Sequence, residues 1–176
     1  MTRKYQIAYK IRTETFSKRI MGTVVNSRFE EVISTNIQII HDELLMKAEN
    51  RRLLLSGVDG NYPVIIVDEE FLNLKPQVAA FGIWHEIGHI DKNHFIKYKS
   101  QEEIRKKRIK AINNGEIMLE EKEADLFAVE RVGKIAAVKF LEQSLISRPK
   151  GHIGSQNDLG LIELQLRIDF IKSLKK

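Results

Sequence analysis

Hydrophobic and polar positions along the chain change period several times, and each change predicts an element. Residues 5–12 alternate, with Tyr5, Ile7, Tyr9 and Ile11 set against Gln6, Lys10 and Arg12. A period of two predicts a half-buried strand. Residues 21–25 read equally as a strand pairing with it or as linker. Ser27-Arg28-Phe29-Glu30 has capping-box spacing. Phe29, Ile33, Ile37, Ile40, Leu44 and Ala48 then recur at helical intervals, which predicts a long helix to about Leu55 with Gly57 as its stop. Asp59-Gly60-Asn61 is a turn signal. Tyr62-Pro63-Val64-Ile65-Ile66-Val67 is a short strand, and Pro63, which lacks an N–H, predicts an edge strand or a strand start.

The second half is helical throughout. Asp68 to Leu72 reads as a turn or short helix, and Pro76 suits the first position of the helix that follows. That helix is apolar on both sides of His85-Glu86-Ile87-Gly88-His89, with residues 90–94 at its end. Ser100-Gln101-Glu102-Glu103 is a second capping box, opening a basic helix that ends at Asn113-Asn114-Gly115. Further helices are expected over 116–132, with Gly133 as a break, over 134–147, and over 158–174. Arg148 to Ser155 is the clearest loop. The fold class expected is α+β, helix-dominated, with a small sheet whose edge strand precedes the HEIGH helix, in a single domain over 1–176.

Composition narrows the function. The chain of 176 residues is 43% hydrophobic and 30% charged, ordinary for a globular protein. It contains no cysteine, which excludes a disulfide framework and a thiolate metal site. No apolar h-region follows the first residues and no stretch reaches the eighteen or so apolar residues of a membrane span. A cytoplasmic location and no membrane span are therefore expected. The net charge of +5 is modest. The most basic stretch, from Lys97 to Lys110, has only Phe95 and Tyr98 beside it to stack on bases, so a nucleic-acid partner is not favoured.

The chemistry lies in HEIGH. Residues four apart on a helix sit about 40° from each other, so His85 and His89 can turn two imidazoles to one ion. Glu86, about 100° further round, is placed to act as a base on water beside that ion. Gly88 lowers helix propensity by about 1 kcal/mol relative to Ala, which a helix tolerates where a backbone or ligand approaches closely. Downstream, Glu121 and Asp125 share a helix face. Glu121 is assigned as the third metal ligand, with Glu123 as the runner-up. Asp125 is assigned as the acceptor for the free ring N–H of one histidine. His41 is read as a structural or surface residue and His94 as part of the loop at the helix end, with a second role open to His94 as a hydrogen-bond donor near developing charge.

HEIGH followed by Glu121-Lys122-Glu123-Ala124-Asp125 resembles the gluzincin metallopeptidases, over residues 62–130. The H-E-x-G-H form and the short gap to E-x-E-A-D-x-F-A look most like the ImmA/IrrE-type peptidases, or the soluble catalytic core of the HtpX-type and Oma-type peptidases. The resemblance implies a zincin-like domain with one Zn2+ per chain held by His85, His89 and Glu121, with Glu86 as catalytic base and a protein or peptide as substrate. It also suggests substrate or transition-state roles for His152 and Arg167, since the HtpX-type and Oma-type pattern has a loop His ahead of a helical Arg. Gly151-His152-Ile153-Gly154 departs there from the usual His-Pro. The alternative of another class is a zinc-containing regulatory or interaction module without proteolysis.

Overall fold

Helices supply most of the structure and a four-stranded sheet the remainder, an α+β arrangement dominated by helix. The computed structural model describes residues 23–24, 37–48, 53–59, 62–94, 100–147 and 156–175. Its contacts group the chain into two compact units, Met1–Ala80 and Phe81–Lys176.

The first unit holds the sheet. Its strands β1 (Thr23–Val24), β2 (Gln38–His41), β3 (Leu54–Asp59) and β4 (Tyr62–Val67) lie in the order β1-β2-β4-β3. β2 and β4 run parallel, with Ile39 opposite Ile65, and the other pairings are antiparallel. Two short helices, α1 (Glu43–Ala48) and α2 (Glu69–Leu72), follow β2 and β4. Each begins at an aspartate: Asp42 Oδ1 accepts from the Leu45 N–H at 2.9 Å, and Asp68 Oδ1 accepts from the Phe71 N–H at 2.8 Å. These are N-caps, satisfying donors that the first turn leaves free. The other oxygen of Asp68 accepts from the Leu53 N–H at 2.8 Å.

Two expectations are corrected here. The long helix to Leu55 is absent from its described part, where β2, α1 and β3 stand instead. Ile37, Ile40 and Leu44 fit helical spacing, but Ile37-Gln38-Ile39-Ile40 is also a β-branched run, and such runs favour strand. Ile39 and Ile40 point to opposite faces of β2 and both are buried, as an interior strand covered on both faces requires. Leu44, the next member of the supposed helical stripe, is 51% exposed.

The second correction concerns β4, which is interior rather than an edge. Its parallel pairing with β2 begins at Val64, so Pro63 lies just beyond it, opposite only Val58 of β3. Proline at a strand start costs no ladder bond on that side, which is why it is tolerated in an interior strand. β1 pairs with β2 and so settles residues 23–24 as strand. The strand expected over 5–12, the capping box at 27–30 and His152 lie outside the described residues.

The helix α3 (Pro76–Asp91) carries HEIGH and starts at the proline expected. The second unit adds α4 (Gln101–Asn113), α5 (Leu119–Val132), α6 (Lys134–Ser147) and α7 (Gln156–Ser173). Ser100 caps α4 by accepting from the Glu103 N–H at 3.2 Å. Gly133 joins α5 to α6 at a φ of 83°, a conformation that costs glycine little. The core of this unit is apolar: Phe81, Ile83 and Ile87 on α3, Ala124 and Ala128 on α5, Phe140 and Leu141 on α6, and Leu164, Ile168 and Ile171 on α7 are all buried. Phe81 and Phe140 pack at a tilt of 51° with centroids 5.5 Å apart. Among the described residues, no helix is long and apolar enough to cross a membrane.

Candidate metal centre

α3 presents His85 and His89 on one face, as a spacing of four dictates. The ring centroids are 4.7 Å apart and the two Nε2 atoms face each other at 3.0 Å. α5 brings Glu121 to the same point. Its Oε2 lies 3.4 Å from His85 Nε2 and its Oε1 lies 3.7 Å from His89 Nε2. His85, His89 and Glu121 form a group able to hold a metal ion. Ligands at about 2.0–2.1 Å around a tetrahedral ion stand about 3.3 Å from one another. The three observed separations bracket that value without any rearrangement.

The close seating of α5 on α3 depends on Gly88. A Cβ at this position would lie 3.1 Å from the Ala124 Cα and 3.3 Å from the Phe127 side chain. The neighbour is backbone and cannot rotate away. Beside this contact, Trp84 and Phe127 pack with centroids 6.2 Å apart, and the Arg131 guanidinium lies 3.4 Å over the Phe127 ring. We expect Gly88→Ala to lose about 1–2 kcal/mol of stability, because overpacking outweighs the gain in helix propensity. Metal affinity should fall with it, since Glu121 rides on the displaced helix. Urea unfolding and a chelator competition measure the two effects. Wild-type values in both would mean that the approach at Gly88 does not set the site.

Behind the three ligand atoms stands a layer of charged partners. Asp125 is fully buried on α5, and its Oδ1 accepts from His85 Nδ1 at 2.9 Å. Arg167 reaches in from α7: Nε and Nη2 bond the two oxygens of Asp125 at 2.8 and 2.6 Å, and Nη1 meets Glu121 Oε2 at 2.8 Å. Arg167 Nη2 also comes within 3.2 Å of His85 Nδ1. Both atoms are donors converging on one aspartate oxygen, so this contact is not itself a hydrogen bond. One turn before Arg167, buried Glu163 pairs with Arg108 of α4. The resemblance suggested a substrate or transition-state role for Arg167. The structure places its guanidinium on Asp125 and Glu121.

The second histidine is backed differently. α3 ends with Asn93 at a φ of 55°, a left-handed conformation that asparagine adopts more readily than most residues. The chain turns back there and buries His94. His94 Nδ1 lies 2.9 Å from His89 Nδ1, and His94 Nε2 lies 2.9 Å from Glu123 Oε2. Glu123, the runner-up ligand, is therefore engaged with His94, and the ligand group contains Glu121 instead. The sequence reading missed this pairing. Its signal was a histidine three residues past the helix end, behind an asparagine able to reverse the chain. His41, at the end of β2, lies 3.6 Å from Glu69 and stands outside the ligand group.

Electrostatics follow from these contacts. Burial opposes ionisation of Glu121 and Asp125, yet the Arg167 charge and the His85 hydrogen bonds hold Glu121 well below its ordinary value and Asp125 below its own. Burial and the Arg167 charge oppose protonation of His85, but hydrogen bonds to Asp125 and Glu121 outweigh them and raise it to about 9. Burial pushes His89 down against the pull of Glu121. Burial raises the Glu163 carboxyl, helped by the Glu121 charge. One guanidinium against two carboxylates leaves the centre with an excess negative charge. A proton on His85 offsets part of it.

Glu86 follows His85 on α3 and is half-buried, and His89 feels its negative charge. Comparison of the chain with models of known protein families, with curated proteins and with solved structures finds no match.

Proposed function

We propose that the protein is a zinc-dependent peptidase of the gluzincin type, with His85, His89 and Glu121 as the zinc ligands and Glu86 as the general base. One observation carries the reading. His85 donates its Nδ1 proton to Asp125, so in the neutral ring Nε2 has a lone pair. That lone pair, His89 Nε2 and the Glu121 carboxylate converge within 3.0–3.7 Å. These groups need a positive charge among them: a proton on His85 can serve in the metal-free protein, and a bound cation would take its place. Nitrogen and oxygen donors in this number suit zinc and leave a position open for catalysis.

Bound zinc supplies Lewis acidity there, polarising a carbonyl and lowering the pKa of a water toward neutrality. The chain's own residues do the rest. Glu86 accepts the proton of the attacking water on its carboxylate and then delivers it to the leaving amine. Asp125 keeps His85 in one tautomer and one orientation. Arg167 holds Glu121 by one oxygen through Nη1 and so fixes where its carboxylate points. The substrate class is protein or peptide, by the resemblance of the motif pair to peptidases. In this reading, hydrolysis of a peptide library is abolished by a zinc chelator and restored by stoichiometric zinc. Hydrolysis that survives complete removal of metal would overturn it.

A further inference from the structure

Asp125 explains how His85 is oriented, and the matching ring atom of His89 has a different partner. It meets His94, whose far nitrogen meets Glu123. Proton counting along this chain has one consistent solution with neutral rings. The Glu123 carboxylate can only accept, so His94 Nε2 carries the proton. His94 Nδ1 is then a lone pair and accepts from His89 Nδ1–H. His89 Nε2 is left as a lone pair, and it is this atom that faces His85 Nε2 and Glu121. His94 is 4% exposed, and its ring stands at 75° to that of His89 with centroids 5.0 Å apart.

We propose that His94 and Glu123 form a positioning pair that fixes His89 as its Nδ1–H tautomer and aims its Nε2 at the metal site. The proposal rests on the zinc reading above, and adds two residues outside the ligand group. It makes the two ligand histidines unequal: His85 is held by a buried carboxylate, whereas His89 is held through an interposed imidazole by a carboxylate that is 37% exposed. Partners of this kind are worth about ten- to hundredfold in metal affinity.

The test uses the full chain and zinc itself. Zinc affinity is measured by chelator competition for wild type, His94→Phe, His94→Gln and Glu123→Ala, and the His89 tautomer is read from imidazole 15N shifts in the metal-free proteins. His94→Phe keeps a ring but removes the acceptor, and should lower zinc affinity about ten- to hundredfold. His94→Gln places a carbonyl oxygen where the acceptor was and should recover most of the loss. Glu123→Ala alters a partly exposed side chain, so it tests the pair even if His94→Phe does not fold. It should weaken zinc binding and mix the His89 tautomers. Unchanged affinity and an unchanged tautomer in His94→Phe and Glu123→Ala would overturn the pair while leaving the zinc reading intact. If wild type takes up no zinc, the zinc reading fails, and the metal-free tautomer decides the pair by itself: Nδ1–H in wild type, lost in the variants, supports it, and Nε2–H in wild type overturns it.

Discussion

Glu86→Gln is expected to retain wild-type zinc and to lose peptide hydrolysis by about 10²–10⁴-fold, the usual contribution of a placed general base. The amide matches the carboxylate in size, so the helix and its packing should be unchanged. Glu86 is not in the ligand group, which consists of His85, His89 and Glu121, so metal content should not move. What changes is proton transfer: an amide cannot take a proton from water at neutral pH. Parallel measurement of zinc content and of turnover on a peptide library separates the two. A fully active variant would remove Glu86 from the mechanism. A variant that loses zinc would make it part of the metal shell.

Arg167→Ala should act on the fold before it acts on chemistry. The wild-type guanidinium makes contacts of 2.6–2.8 Å with Asp125 and Glu121. Removing it strands two carboxylates, one of them fully buried. Breaking a buried pair from one side costs about 3–5 kcal/mol, against a total stability of about 5–15 kcal/mol for a typical protein. Urea unfolding of the metal-free protein should register a loss of that order, and zinc should restore part of it by supplying positive charge beside Glu121. Arg167→Lys should recover little, because an ammonium cannot span both carboxylates as the planar guanidinium does. The substrate or transition-state role suggested by the resemblance forecasts a lower catalytic rate with unchanged zinc content and, in that case, no loss of stability. That result would move Arg167 from the support of the site to its reacting end.

What was legible in the sequence was whatever periodicity and spacing encode locally. HEIGH on an apolar helix and Glu121 with Asp125 four residues on are short-range patterns, and the helix faces they specify are the ones that meet. Gly88 was legible for the same reason: a glycine inside a helix needs a close neighbour, and the Ala124 backbone is that neighbour. Spacing failed where two periods fitted one stretch. Ile37, Ile40 and Leu44 satisfy a helix, but the described segment is a strand followed by a short helix capped by Asp42. The interior place of β4 depends on pairing with β2 across 26 positions of sequence, which no local signal announces. The return of His94 onto His89 turns on the backbone conformation of a single asparagine. The grip of Arg167 on Asp125 spans 42 positions of sequence.

The proposed function depends on metal at His85, His89 and Glu121. The most direct measurement is zinc per chain by elemental mass spectrometry, on protein purified without a nickel column, with Glu121→Ala prepared in parallel. Close to one zinc in wild type and markedly less in the variant is the result expected. Folded wild-type protein that holds no metal, even after incubation with zinc, would contradict the account and leave HEIGH as part of a core helix.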